Sequence, residues 1–345
     1  MARLRRLPNL QLALFFVALY VVFSFLSPRF NNATNVENIL SGYSFMAILA
    51  IGQALPILTG GIDLSIGSIV ALGGMLLFDL SMIFGIPGWL AIPAALAVTT
   101  LAGAINGLLI TRLRLPAFVA TLATLAAYRG GVYAISGRQL RPELGTQAIT
   151  DPWLLGAETY FDVGDATHLD QIFPVPQIPL SFLIMLVVLV VAQVVLSRTR
   201  FGLDLKTVGG NPEAARLAGL RVDRTVIAAY ALSGFCAGVA AVILVARLTT
   251  STEALGTGME LTAISAAVIG GVSLQGGVGT ASGPALGAFL LGIILIGLTL
   301  AGFSQFVQQI ITGAILVGAV WSDRILSQRR RRLAERLQGT MDAGS

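Results

Sequence analysis

An acidic side chain, Asp63, interrupts an apolar run within Gly60-Gly61-Ile62-Asp63-Leu64-Ser65-Ile66-Gly67. Inside a membrane a carboxylate costs several kcal/mol unless it is paired or hydrated. Asp63 could line a translocation route and accept hydrogen bonds from a small polar solute, or pair structurally with Arg129. The motif is echoed by Gly270-Gly271-Val272-Ser273-Leu274-Gln275-Gly276-Gly277. Gln53, Ser65, Asn106, Ser273 and Gln275 suit weak, reversible contacts with a polar solute, although bonding one helix to another is the commoner role of such residues. Glu260, beside the second motif, is a structural or gating acid, and Asp79, near a helix end, reaches water.

Other chemistry is excluded. One histidine, His168, and one cysteine, Cys236, cannot assemble a His-paired nucleophile or a metal site. Cys236 lies in an apolar run and reads as a small core residue. The single lysine, Lys206, follows Leu205, so there is no phosphate-binding G-x-x-x-x-G-K loop. Gly277-Val278-Gly279 and Gly283 lack the strand that a dinucleotide fingerprint requires. No cofactor is expected in this chain.

The elements that must position these residues are membrane helices. The chain is 55% hydrophobic and 11% charged, with a mean hydropathy of +0.84, whereas soluble domains carry about 25% charged residues. At roughly 20 apolar residues per crossing, the runs 12–27, 43–59, 65–85, 89–111, 117–136, 179–197, 225–247, 259–273, 281–301 and 305–323 predict about ten helices in a single all-α transmembrane domain, 1–345. Trp89 and Trp321 sit at predicted helix ends, where indoles favour the interface. Arg3, Arg5 and Arg6 ahead of an apolar stretch resemble a signal peptide, but Ser27-Pro28-Arg29-Phe30 is no cleavage site, which predicts an uncleaved first helix.

Most of the 22 basic residues fall on one side if both termini are cytoplasmic. That side takes Arg112 and Arg114, the segment 198–224, and the tail 324–345, whose Arg329 to Arg332 would meet anionic headgroups. The balance of +5 therefore orients the chain and does not indicate nucleic acid. The loop 138–178 falls outside and reads as solvated and acidic. The paired glycine motifs predict an inverted repeat with both breaks near the membrane midplane, as in transporters built from broken helices.

The cytoplasmic segment contains a short helix of about seven residues, roughly 10 Å long. Asn211 is a favoured N-cap, Pro212 suits the first position, and Glu213 complements the positive end of the dipole. Ala214, Ala215, Leu217 and Ala218 give a small apolar face, and Gly219 supplies the stop. So short a helix does not persist alone in water and needs a partner surface.

These stretches, together with Pro116 to Leu122, Arg129-Gly130, Thr199-Arg200-Phe201-Gly202 and Glu260 to Ile264, run in the order and spacing of a known family over nearly the whole chain. The chain resembles the membrane-spanning permease subunits of ATP-binding-cassette sugar importers, the ribose and galactofuranose permease family. The resemblance implies a bacterial inner-membrane permease that pairs with a second copy or close paralogue and takes sugar from a periplasmic binding protein. Two cytoplasmic ATPase domains, which bind ATP and Mg, would drive it, with 211–219 as the coupling helix. Leu115 to Phe118 and Arg198 to Gly202 lean toward the galactofuranose type. The alternative is an ATP-independent secondary transporter or channel, which leaves the helix at Asn211 without a task.

Overall fold

The computed structural model describes residues 10–27, 29–137, 151–156, 159–161 and 177–342. Arg3, Arg5, Arg6, most of the loop 138–178 with His168, and the side chains of Arg329 to Arg332 lie outside the described residues. The long helices are α1 (Leu10–Leu26), α2 (Ala33–Leu58), α3 (Ile66–Phe78, prolonged by a π-helical turn, Asp79–Ile83), α4 (Gly88–Arg112) and α5 (Ala117–Ser136). A four-residue helix α6 (Pro152–Leu155) and two paired dipeptide strands, β1 (Tyr160–Phe161) and β2 (Ile178–Pro179), precede α7 (Leu180–Arg198). Then come α8 (Arg200–Gly210), α9 (Pro212–Leu217), α10 (Val222–Leu248), α11 (Met259–Ile269), α12 (Ser282–Leu300) and α13 (Gln305–Asp342).

Among the described residues eight helices are long and apolar enough to cross a bilayer. Two of the ten expected segments form shorter apolar helices, α1 with 17 residues and α11 with 11. At 1.5 Å per residue α11 is only about 16 Å long, half a crossing. The segment 198–224 holds a second helix besides the expected one: α8 is started by Thr199, whose side chain accepts from Gly202 N at 3.3 Å.

The bundle is an inverted repeat in which α2 to α5 correspond to α10 to α13. Every major packing in one set recurs in the other: α10 on α4 as α2 on α12, α10 on α3 as α2 on α11, α3 on α4 as α11 on α12, and α3 on α5 as α11 on α13. The two central helices, α2 and α10, pack on each other and run in opposite senses. Their interface is made of small and aliphatic side chains, and Gly52 approaches Cys236 so closely that an added Cβ would lie 2.6 Å from Cys236 Cβ. Cys236 is buried in this core, as its sequence context predicts.

The glycine motifs are not each other's counterparts, which corrects the expected pairing. Both end helices that run the same way, toward the end of the bundle that carries Arg112, Arg114, α8 and α9, called the basic end below. In the first, Gly61 N donates to Pro56 O at 3.0 Å and Gly60 N to Ile57 O at 2.9 Å, with Gly60 at φ +85°. In the second, Val272 N donates to Ala267 O at 3.0 Å and Gly271 N to Val268 O at 2.9 Å, with Gly271 at φ +84°. These are glycine helix stops in which a left-handed residue lets two amides satisfy the last carbonyls. The first stop follows a full-length helix of 26 residues. It therefore lies at the basic end and not at mid-depth.

The internal counterpart of the first motif is the segment 249–258, which follows α10 as 59–65 follows α2. It folds back into the bundle, burying Ser251 and Leu255. The backbone of Gly256 packs against that of Gly67 at the start of α3. This return explains the short α11, which starts inside the bundle at the depth the segment has already reached.

Candidate functional site

The first motif brings five polar side chains together. Asp63 Oδ1 accepts from Ser65 N (3.0 Å), Ser65 Oγ (2.7 Å) and Asn106 Nδ2 (3.4 Å), while Oδ2 accepts from Ser233 Oγ (3.2 Å). Asn106 Nδ2 also donates to Ser65 Oγ at 2.7 Å. In the amide orientation that satisfies both atoms, Gln53 donates to Asp63 O and accepts from Asp63 N, each at 3.1 Å. Ile62 O receives Thr121 Oγ1 at 3.1 Å and Tyr230 Oη at 3.4 Å. Helices α2, α4, α5 and α10 thus all clamp one turn of backbone. Gln53, Asp63, Ser65, Asn106 and Ser233 have no solvent exposure. Gln53, Asp63, Ser65 and Asn106, read from the sequence as pathway candidates or as interhelical bonding residues, bond to one another here, and in this conformation none of them reaches an open route.

Arg129 is not the partner of Asp63, which corrects the structural pair. Its guanidinium donates to the carbonyls of Glu253 and, at 2.8 Å, Leu255, and it feels the charges of Glu260 and Glu253. Arg129 therefore staples the returning segment 249–258. Glu260 belongs to the same assembly, with Gly258 N donating to its Oε1 at 3.3 Å and its carboxylate lying against Gly67. The two charges are structural neighbours, each holding a polar backbone that a membrane interior would otherwise leave unsatisfied. Asp79 is 6% exposed, so the expectation that it reaches water is not met.

Ser273 and Gln275 lie apart from the Asp63 cluster. Ser273 Oγ and Leu274 N donate to Asp323 Oδ2 of α13 at 3.3 and 3.1 Å, and Gln275 is exposed at the basic end. Gly270 packs its backbone on Gly283, the close approach that lets α11 and α12 run antiparallel. Ser233, Thr121, Tyr230 and Asp323 were not singled out in the sequence. Ser233 and Tyr230 sit in a continuous apolar helix, and only the fold brings them to Asp63.

The short helix α9 follows its sequence prediction. Asn211 Oδ1 accepts from Glu213 N (3.1 Å) and Ala214 N (3.0 Å). Leu220 N donates to Ala215 O at 3.0 Å and Gly219 N to Arg216 O at 2.9 Å, with Gly219 at φ +83°. Ala215 is the inward side chain, buried with Val208 and Val222, while Ala214 faces outward and Leu217 is 91% exposed. Among the described residues no group of three or more His, Cys, Asp or Glu could hold a metal ion.

Several apolar crossings around buried polar clamps, with a capped helix held outside the bundle, define a multi-pass membrane permease. The chain matches the family described as branched-chain amino acid transport system / permease component over residues 35–320, and it belongs to that family. It is 36% identical over 307 residues to the ribose import permease protein RbsC of Escherichia coli K12, covering 89% of this chain and 91% of the relative. It is 33% identical over 315 residues to RbsC of Haemophilus influenzae, covering 91% and 92%. It is 30% identical over 367 residues to the xylose transport system permease protein XylH of E. coli K12, covering 93% of each. These relatives are transport permeases and the chain is not an enzyme. No solved structure matches it.

Proposed function

We propose that this chain is the membrane subunit of an ATP-driven importer that moves a monosaccharide inward by alternating access. The sugar is a pentose, as the names of the ribose and xylose permeases indicate for those relatives. The protein works in the bacterial inner membrane as a pair of copies or with a close paralogue, and takes its sugar from an external binding protein. ATP and Mg are bound by a separate ATPase seated on α9. The basic end faces the cytoplasm, in keeping with the positive-inside rule.

The observation that carries this reading is Leu217, 91% exposed on a six-residue helix that is capped at both ends, buried inward through Ala215 and tied to α10 by Arg216 and Asp223 at 3.2 Å. A helix of this length persists only when it is held, and an exposed leucine at its tip is suited to a partner's apolar groove. Below it, α8 joins the two glycine stops, so a force on α9 has a rigid route into α2 and α11.

The test is Leu217→Asp in the complex reconstituted with its ATPase. A charge buried in the docking groove without a counter-charge costs several kcal/mol, enough to weaken docking by orders of magnitude. Sugar uptake and sugar-stimulated ATPase activity both fall while the membrane level of the permease holds. Uptake at the parental rate without any bound ATPase would instead support a secondary transporter or channel.

A further inference from the structure

A groove of about 470 Å³, lined by leucines and by a set of uncharged polar side chains, runs between the half-length helix α11 and the part of α13 remote from the basic end. We infer that this groove is an intramembrane binding site for the monosaccharide, held by Gln305, Gln309, Thr262 and Thr312. The inference rests on the importer reading above and adds a site to it.

Three observations converge on the groove. First, it exists because the segment 249–258 turns back into the bundle, so α11 begins deep inside and leaves the first turns of α13 without a full-length neighbour. Gln305 to Thr312 thereby face a cleft, whose volume falls in the usual range for small-molecule sites.

Second, the lining has the right chemistry for a neutral polyol. The hydroxyls of Thr262 and Thr312 donate to carbonyls at 3.2 Å (Gly258 O) and 2.8 Å (Gln308 O). Their donors are thus occupied, and their oxygens remain as acceptors for sugar hydroxyls. Gln305 and Gln309 are exposed and supply amide groups that can both donate and accept. The groove is lined by no charged side chain. That suits an uncharged sugar, whereas a zwitterionic amino acid would need counter-charges.

Third, an amide left unpaired in hydrocarbon is costly. Gln309 stands one helical turn into α13 from Gln305, and a wet groove, not lipid, is the surrounding that satisfies its amide. The five residues of the Asp63 cluster, by comparison, are fully buried and mutually bonded.

The experiment uses the complete complex with its ATPase and binding protein in proteoliposomes, in a Cys236→Ala background. Thr262→Cys and Gln309→Cys are labelled with a membrane-impermeant methanethiosulfonate, with Val190→Cys, 60% exposed on the apolar face of α7, as the lipid-facing control. Positions 262 and 309 are expected to label at least tenfold faster than 190, and saturating D-ribose or D-xylose with the loaded binding protein slows them. Gln309→Leu combined with Thr262→Val lowers maximal pentose uptake about tenfold, the loss of one or two hydrogen bonds, while ATPase binding and basal ATPase activity hold. Labelling at 262 and 309 no faster than at 190, or parental uptake by the double variant, overturns the site. A parent complex that carries neither pentose overturns the importer reading instead, and the labelling rates then still report whether the groove is wet.

Discussion

The backbone amide of Gly277 donates to the carbonyl of Leu58 at 3.0 Å, fastening the second glycine motif to the end of α2. Gly209 of α8 packs against the same carbonyl, and Gly276 lies on the backbone of Gly209. Three segments far apart in sequence therefore share one backbone junction at the basic end. Side chains at these positions would hold the strands of chain apart, so glycine is required by the close approach itself. The junction couples α8 and α9 to both central layers of the bundle.

Gly209→Ala tests that junction. An added Cβ would meet Leu58 O and, at 2.6 Å, Gly277 N, both backbone atoms that cannot rotate away. Overpacking of this kind costs about 1–3 kcal/mol. The purified variant is expected to melt at a lower temperature in detergent and to couple ATP hydrolysis poorly to uptake. An unchanged melting temperature would show that the junction is loose.

Asp63→Ala removes the acceptor of Ser65 N, Ser65 Oγ and Ser233 Oγ in a site with no solvent exposure. Each orphaned donor costs about 1–3 kcal/mol. Asp63→Asn keeps one oxygen and is the milder change. Because Arg129 bonds elsewhere, adding Arg129→Ala should worsen Asp63→Ala by simple addition, as for sites without shared partners. Recovery of the melting temperature in the double variant would restore the ion-pair reading.

Arg129→Gln releases the carbonyls of Glu253 and Leu255 and removes a positive charge that Glu260 feels. Hydrogen bonds from a charged donor are worth roughly 1.5–3 kcal/mol. Protease cleavage or hydrogen exchange within 249–258 is expected to rise sharply in the variant, with the rest of the bundle protected as before. Equal protection of that segment in both proteins would remove Arg129 as its staple.

Membrane topology follows from charge. Lys206→Cys on α8 and Phe303→Cys at the opposite end, each in a Cys236→Ala background, are predicted to label differently in intact cells. An impermeant thiol reagent should modify position 303 and spare 206 until the membrane is permeabilised. Labelling of 206 from outside would reverse the orientation.

Much of the fold was legible because hydropathy and capping are local. Residues 225–247 and 117–136 were read as helices and are found as Val222–Leu248 and Ala117–Ser136. The boundaries that moved have tertiary causes. Helix α2 starts at Ala33, where Asn32 accepts from Thr34 N at 3.2 Å, ahead of the apolar stretch expected to open it. Residues 259–273 read as a crossing by composition, yet α11 stops at Ile269 because Gly270 must meet the backbone of Gly283.

The sequence by itself determined an all-helical, multi-pass membrane protein with a short capped helix at Asn211 to Gly219. Each of those features is written within a few adjacent residues: apolar length, a side-chain cap, a glycine stop. It also marked Asp63 as a charge that must lie inside the bundle. Only the tertiary structure decided which residues meet. Ser233, 170 positions away, binds Asp63 while Arg129 does not, and the counterpart of the first glycine motif is a returning segment with no matching glycine pair. Small polar residues on apolar helices carry no local sign of their partner. That choice is made by helix packing, where the relation of α2 to α10 sets which buried group each one faces.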